Sequence, residues 1–256
     1  VREKILEPLG MKHTGFDFTH LKDPNKTTGY NCVLIDSFYT DEIEDSTQSL
    51  GAGAMYSTTG DLYKWHWALQ SYKLLDKAWQ QKAYVPYKDN YAYGWIVKKF
   101  LNKQILAHSG GISGFYTYIL RIEEDDLCVV LLSNIRYNGA DNNAIAKDIV
   151  RCLYDSTYKI PAVRKTIALS PEIMEAYTGE YILAADTSIT LTFRRKDNYL
   201  LVTLTGQPED RIFPQTKNLF FAKSADAQFE FVKDAQRGYK LLLHQHGQAF
   251  EAIRIM

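Results

Sequence analysis

Residues 105–122, ILAHSGGISGFYTYILRI, decide how the first half of this chain is read. β-Branched and aromatic residues flank a cluster of small ones, which predicts two strands joined by a tight glycine turn. The first strand is expected over Gln104–His108 and the second over Phe115–Ile122, which sets His108 at the hinge, followed by Ser109-Gly110-Gly111. On the residues alone that histidine has two readings. It is a hydrogen-bonded polar group at a strand end, or it belongs to a site, because Gly110 and Gly111 leave backbone N–H groups uncovered for a ligand. The following run, LCVVLLSNI (127–135), is nearly all apolar. It predicts a strand buried on both faces in the middle of a sheet, which would set the hairpin in the sheet interior.

Upstream, VREKILEPLGM (1–11) predicts a short helix stopped by Pro8 and Gly10. Residues 12–50 show no sustained period and predict an irregular excursion with short strands. STTGDLYKWHWALQSY (57–72) predicts a helix, with Thr58 and Asp61 as its start signal and Leu62, Trp65, Leu69 and Tyr72 on one face. LLDKAWQQKAY (74–84) predicts a second, and YAYGWIVKKF (91–100) a strand. Downstream, ADNNAIAKDIVRCLY (140–154) predicts a helix with Ile145, Ile149, Cys152 and Leu153 facing inward. Composition then shifts. KIPAVRKTIALSPE (159–172) suits a linker, and beyond it about eight short alternating runs predict a small antiparallel barrel or sandwich without helices.

The totals exclude several function classes. With Lys+Arg at 30 and Asp+Glu at 30, no charge excess favours nucleic acid or an anionic membrane. No apolar run approaches the roughly 18 residues of a membrane span. Cys32, Cys128 and Cys152 are too few and too scattered for a disulfide framework or a zinc site. The chain opens at Val1 inside an apparent helix, with no signal peptide in view, and is expected to be a fragment or a processed product.

Three stretches together resemble the serine β-lactamase and penicillin-binding-protein family, in its class C-like branch: EPLGMKHTGF (7–16), GAGAMYSTTGDLYKW (51–65) and HSGGISGFYTYILRIEEDDLCVVLLSNI (108–135). The similarity covers about residues 1–155. Residues 171–256, with their opening YTGEY, are similar to the lipocalin-like β domain often appended to such proteins.

The resemblance implies an α+β fold in two parts. Residues 1–160 would be the C-terminal portion of a β-lactamase-like domain, 161–170 a linker, and 171–256 a small β-barrel. It makes His108-Ser109-Gly110 the family's third motif. His108 would lie near a substrate carboxylate, Ser109 would donate to that carboxylate, Gly110 would line the same wall, and the Gly111 N–H would be an oxyanion-hole donor, worth roughly 3 kcal/mol of barrier. Histidine stands where many members have lysine, so the fixed positive charge there is reduced.

The family's other two motifs are absent. No tyrosine is followed two places on by asparagine. Ser-x-x-Lys occurs once, at Ser156–Lys159, but after the third motif instead of before it. Lys26-Thr27-Thr28-Gly29 mimics Lys-Thr-Gly without a strand context. The parent protein is therefore expected to be a serine hydrolase forming an acyl-enzyme with an amide or ester. This chain is expected to be inactive alone, with its nucleophile upstream. The alternative is a non-catalytic binding or scaffold module, its barrel filled by residues such as Leu191, Phe193, Leu201 and Leu243.

No cofactor or metal is implied. His244 and His246 share a strand face but lack a third ligand. The expected partners are a carboxylate-bearing substrate, the missing N-terminal region packing on an exposed sheet edge or apolar face, and, failing that, a second copy. The location implied is periplasmic or extracellular. Trp65, Trp67, Trp79 and Trp95 read as core and rim of helix–sheet packing, Glu123–Asp126 as a solvated turn, and Ser133-Asn134 as a strand end.

Overall fold

The computed structural model describes every residue except 35–36, 43–45, 137–140, 161–162, 246 and 256. The chain divides into two compact units. One comprises Val1–Cys32, Tyr39–Arg136 and Ala140–Ile160, the other chiefly Pro161–Met256.

The first unit opens with a π-helical turn, Arg2–Leu6, running into α1 (Glu7–Leu9), which Gly10 ends at φ 65°. Then follow β1 (Tyr30–Leu34), β2 (Ser37–Thr40), α2 (Ser46–Gly53), α3 (Thr59–Gln70), α4 (Lys77–Ala83), β3 (Ile96–Phe100), β4 (Lys103–Ile112), β5 (Phe115–Ile122), β6 (Leu127–Ser133), β7 (Ile135–Arg136) and α5 (Asn142–Tyr154). The sequence gives no periodic signal for α2, which was expected to be irregular. Each of the three longer predicted helices starts on a side-chain cap. Thr58 accepts from the Asp61 N–H (3.2 Å), Asp76 from that of Trp79 (2.9 Å) and Asp141 from that of Asn143 (2.9 Å).

β3 to β6 form an antiparallel sheet in the order β3-β4-β5-β6, and β1 pairs in parallel with β7. Ile105, Ala107, Tyr118, Leu120 and Ile122 pack against Ala146 and Val150 of α5 on one face. Leu106, Val97 and Trp95 pack against Leu69 of α3 and Tyr84 on the other.

Three expectations are corrected here. The hairpin turn is Ser113-Gly114 alone, and β4 runs on through Ser109, Gly110 and Gly111 to Ile112 instead of stopping at His108. Ile112 pairs with Phe115, so His108 lies within β4 opposite Ile119. Gly114 takes φ 74°, the value a tight turn asks of its glycine. Next, β6 is an edge strand. It is apolar on both sides because a helix covers each face, although Leu132 is 41% exposed.

On α5 the inward residues are Asn142, Ala146 and Val150, while Ile145, Ile149, Cys152 and Leu153 are exposed. Rings and branched chains already crowd that sheet face, so the helix approaches through its smaller side chains. Of the tryptophans expected at core and rim, Trp95 is buried, Trp65 half-buried, and Trp67 and Trp79 are 48% and 60% exposed.

The second unit is a closed eight-stranded antiparallel barrel: β8 (Gly179–Leu183), β9 (Thr190–Lys196), β10 (Tyr199–Leu204), β11 (Asp210–Pro214), β12 (Leu219–Ala222), β13 (Ala227–Asp234), β14 (Gly238–Gln245) and β15 (Gln248–Arg254). Leu191, Phe193, Leu200, Val202, Phe229, Phe231, Leu241 and Leu243 fill its core. Leu201 alternates with Leu200 and Val202 and belongs to the outer side, contrary to expectation.

The unit also has a helix, α6 (Pro171–Glu175), where none was predicted. Met174 and, just beyond it, Tyr177 enter the core. Tyr177 stacks on Phe231 at 4.3 Å between ring centres. Five residues are too few to show a helical period. The segment before it is docked, since the Ile167 N–H donates to the Pro214 carbonyl (2.9 Å).

Candidate functional site at the open edge of β4

The hairpin register fixes which backbone groups of β4 are used and which are spare. In the turn between β3 and β4, Leu101 and Asn102 both take positive φ, and Phe100 pairs with Lys103. Lys103, Ile105 and Ala107 therefore direct their N–H and C=O toward β3. The even-numbered residues from Gln104 to Ile112 direct theirs toward β5. β3 begins at Ile96, opposite Ala107. Past that point the odd residues, Ser109 and Gly111, present N–H and C=O to an edge on which no described strand pairs. Both residues are exposed, and His108, Gly110 and Ile112 half-buried.

The two glycines are small for different reasons. A methyl group on Gly110 would sit 2.5 Å from the Thr117 Oγ1, so Gly110 makes room for packing. On Gly111 the nearest atom would be Tyr116 Cδ2 at 3.8 Å, an ordinary contact, which leaves the space over its N–H open.

His108 is held at both ring nitrogens. Tyr91 Oη lies 2.9 Å from Nε2, and Nδ1 lies 2.7 Å from the Ser109 carbonyl. The rings meet edge to face at 5.8 Å. Tyr91 reaches this place through a tight turn at Asp89-Asn90, both at positive φ, and an isolated bridge to Ile96. No sequence pattern singled out Tyr91.

A second polar cluster braces the sheet from behind. Arg121 is fully buried on the α3 face. It donates to His66 Nδ1 (3.0 Å), the Tyr84 hydroxyl (2.8 Å) and Gln70 Oε1 (3.1 Å). His66, accepting at Nδ1, carries its proton on Nε2 and donates to Asp126 (3.0 Å). Burial and the neighbouring guanidinium hold the His66 pKa below the ordinary histidine value. A charged residue inside the apolar run FYTYILRI is the one sequence signal that could have exposed this cluster.

Ser156, the serine of the lone Ser-x-x-Lys, is far from Gly111. It follows α5, whose last residue, Tyr154, donates to Asp125 (2.6 Å), which pairs with Lys103 (2.9 Å). That is the opposite end of β4, about 26 Å from Gly111 at roughly 3.3 Å per strand residue. Gly29 of the other decoy packs its backbone against Gly114 at the hairpin turn, and Lys26 donates to the Thr19 carbonyl (2.9 Å). His244 meets Glu230 at 3.0 Å, while His246 lies outside the described residues. Among the described residues no group of three His, Cys, Asp or Glu side chains is placed to hold a metal.

A β-lactamase family model matches residues 1–151. The chain is 27% identical over 276 aligned positions to penicillin-binding protein 4* of Bacillus subtilis (strain 168), covering 99% of this chain and 60% of that protein. It is 30% identical over 149 positions to a putative penicillin-binding protein, PbpX, of the same organism, covering 57% of this chain and 37% of that one. The structure of an octameric penicillin-binding protein homologue from Pyrococcus abyssi superposes with a TM-score of 0.54 at 20% identity, covering 98% of this chain and 58% of that one. That likeness is one of fold, and the chain spans about three-fifths or less of each relative.

Proposed function

The chain belongs to the β-lactamase family, and from that premise we propose that the open edge of β4 is one wall of a serine acyl-transfer site. The observation that carries this is the register, which leaves the Gly111 N–H aimed at an unpaired, exposed edge. A substrate carbonyl lying along that edge would receive the N–H as its oxygen gains charge. A preorganised donor of this kind is worth about 3 kcal/mol of barrier. Ser109, exposed on the same edge, is the donor to a substrate carboxylate, with His108 and Gly110 completing the wall.

The substrate class is an amide or ester bearing a carboxylate, such as a peptide ending in a D-amino acid, and its work lies outside the cytoplasm, in the periplasm or beyond. None of the described helices is long and apolar enough to cross a membrane. The nucleophile is assigned to residues beyond this chain, a reading supported by the separation of Ser156 from Gly111 along β4. Ile145, Ile149 and Leu153 of α5 are exposed, which supports treating this unit as one part of a catalytic domain whose remainder would pack there.

Acylation by a fluorescent penicillin tests both parts. This chain alone should remain unlabelled, and labelling of it would refute the external nucleophile. In the longer protein, Gly111→Pro replaces the edge-facing N–H by the proline ring and takes no donor from the β4–β5 ladder. Labelling should slow by about 10²- to 10³-fold. An unchanged rate would refute the oxyanion role.

A further inference from the structure

We propose that the Ser109 carbonyl fixes His108 in its Nδ1–H tautomer, with Tyr91 as the positioning residue that holds the ring against it, and that an acceptor is thereby removed from the β4 edge. The significance for catalysis rests on the site assigned above, but the tautomer itself does not.

The hydrogen bonds decide the tautomer. The Ser109 carbonyl is an acceptor only, so the contact at 2.7 Å requires a proton on His108 Nδ1. In the neutral ring Nε2 is then an acceptor, and the Tyr91 hydroxyl at 2.9 Å must donate to it. Reversing the tautomer would set the Nδ1 lone pair against a carbonyl oxygen, so the two contacts support one arrangement of the neutral ring.

The consequence falls on the edge. Ser109 directs both its N–H and its C=O there, and so does Gly111. With the Ser109 carbonyl capped by Nδ1–H, the dipole that would repel an incoming oxyanion or carboxylate is engaged. The Ser109 and Gly111 N–H groups and the Ser109 hydroxyl remain as donors. His108 therefore does not meet a substrate carboxylate through either nitrogen while Tyr91 is in place. It shapes the wall that Ser109 and Gly111 present.

The experiment is two-bond ¹H–¹⁵N spectroscopy of the imidazoles in uniformly labelled chain, in buffer about two pH units above the ordinary imidazole value of about 6.5. His108→Asn identifies the resonances. The wild-type ring should be protonated at Nδ1. Tyr91→Phe removes the bond that holds the ring over the Ser109 carbonyl, so the Nδ1–H contact weakens and the tautomer ratio should shift toward Nε2–H by about fivefold, the equivalent of ~1 kcal/mol. A wild-type ring protonated at Nε2, or an unchanged ratio in Tyr91→Phe, would overturn the proposal. Neither result depends on acylation. A correct tautomer together with an unchanged Gly111→Pro rate would leave this inference standing and remove the proposed function.

Discussion

Replacing Gly114 by alanine should destabilise the first unit by about 3 kcal/mol, and the register of the site depends on this residue. Two terms contribute. Gly114 takes φ 74°, where an L-side chain costs about 1 kcal/mol. A Cβ there would also stand 2.7 Å from both Cα and C of Gly29 and 2.9 Å from the Tyr30 N. Those are backbone atoms entering β1, and they cannot rotate away as a side-chain tip would. Relieving the overlap means moving the turn or the start of β1, at a further ~2 kcal/mol.

Gly10 supplies the control. It takes φ 65°, but its added Cβ would have no atom within 4 Å. Gly10→Ala should therefore cost only the conformational term, about 1 kcal/mol. The assay is urea unfolding followed by tryptophan fluorescence. All four tryptophans, Trp65, Trp67, Trp79 and Trp95, lie in the first unit, so the signal ignores the barrel. With a slope near 2 kcal/mol/M, the midpoint should fall by roughly 1.5 M for Gly114→Ala and 0.5 M for Gly10→Ala. Equal shifts would show that φ alone matters and that the Gly29–Gly114 approach does not constrain the turn.

Asp61→Ala should cost about 3 kcal/mol by the same assay, because the buried carboxylate accepts from the His13 N–H (2.7 Å), Thr14 hydroxyl (2.9 Å) and Lys64 (2.7 Å); a loss under ~1 kcal/mol would contradict this network. Acid should weaken the first unit through His66. Its folded pKa is depressed, so stability is full above the ordinary value of 6.5 and is lost as pH falls from there toward the folded pKa. His66→Gln should flatten that part of the stability–pH curve, and an unaltered slope would exclude His66 as its source. Phe231→Ala should remove about 3–5 kcal/mol from the barrel, read as faster amide exchange across β13 and β14, with tryptophan-detected unfolding unmoved.

Local signals in the sequence were those with a local cause. Thr58 announces its helix because an N-cap is a contact over two or three residues, and the structure shows Asp76 and Asp141 doing the same for theirs. The barrel strands show because alternation needs only a filled interior. What failed required knowledge of a neighbour. Ile145 and Ile149 look like a core stripe, yet Ala146 and Val150 face the sheet, and only the bulk of Tyr118 and Leu120 explains the choice. LCVVLLS has the composition of a central strand, but two helices cover an edge strand just as well. Gly110-Gly111 resembles a turn, yet Thr117 and the exposed edge account for those glycines while Ser113-Gly114 makes the bend. His108, Ser109 and Gly111 were singled out from the sequence, but which of their groups are spare depends on the register, and the place of Tyr91 on a turn no period marks.

The three stretches that carry the family resemblance are joined in space by groups that lie away from the β4 edge. Asp61, at the start of α3, ties the segment GMKHT to the helix through His13 and Thr14. His66, one turn farther along, meets Arg121, which lies on the strand paired with β4, opposite Leu106. The path from Met11 to the open edge of β4 thus runs along one face of α3 and across the β5–β4 ladder. Pairing by two-residue periodicity then fixes the edge itself, since a slip of one residue would turn His108 and Gly110 outward and Gly111 inward. The buried polar contacts that look costly for a helix of modest amphipathicity therefore have a positional effect. They hold α3 at one height against the sheet, so that Ser109 and Gly111 present their donors on the side where β3 has already ended.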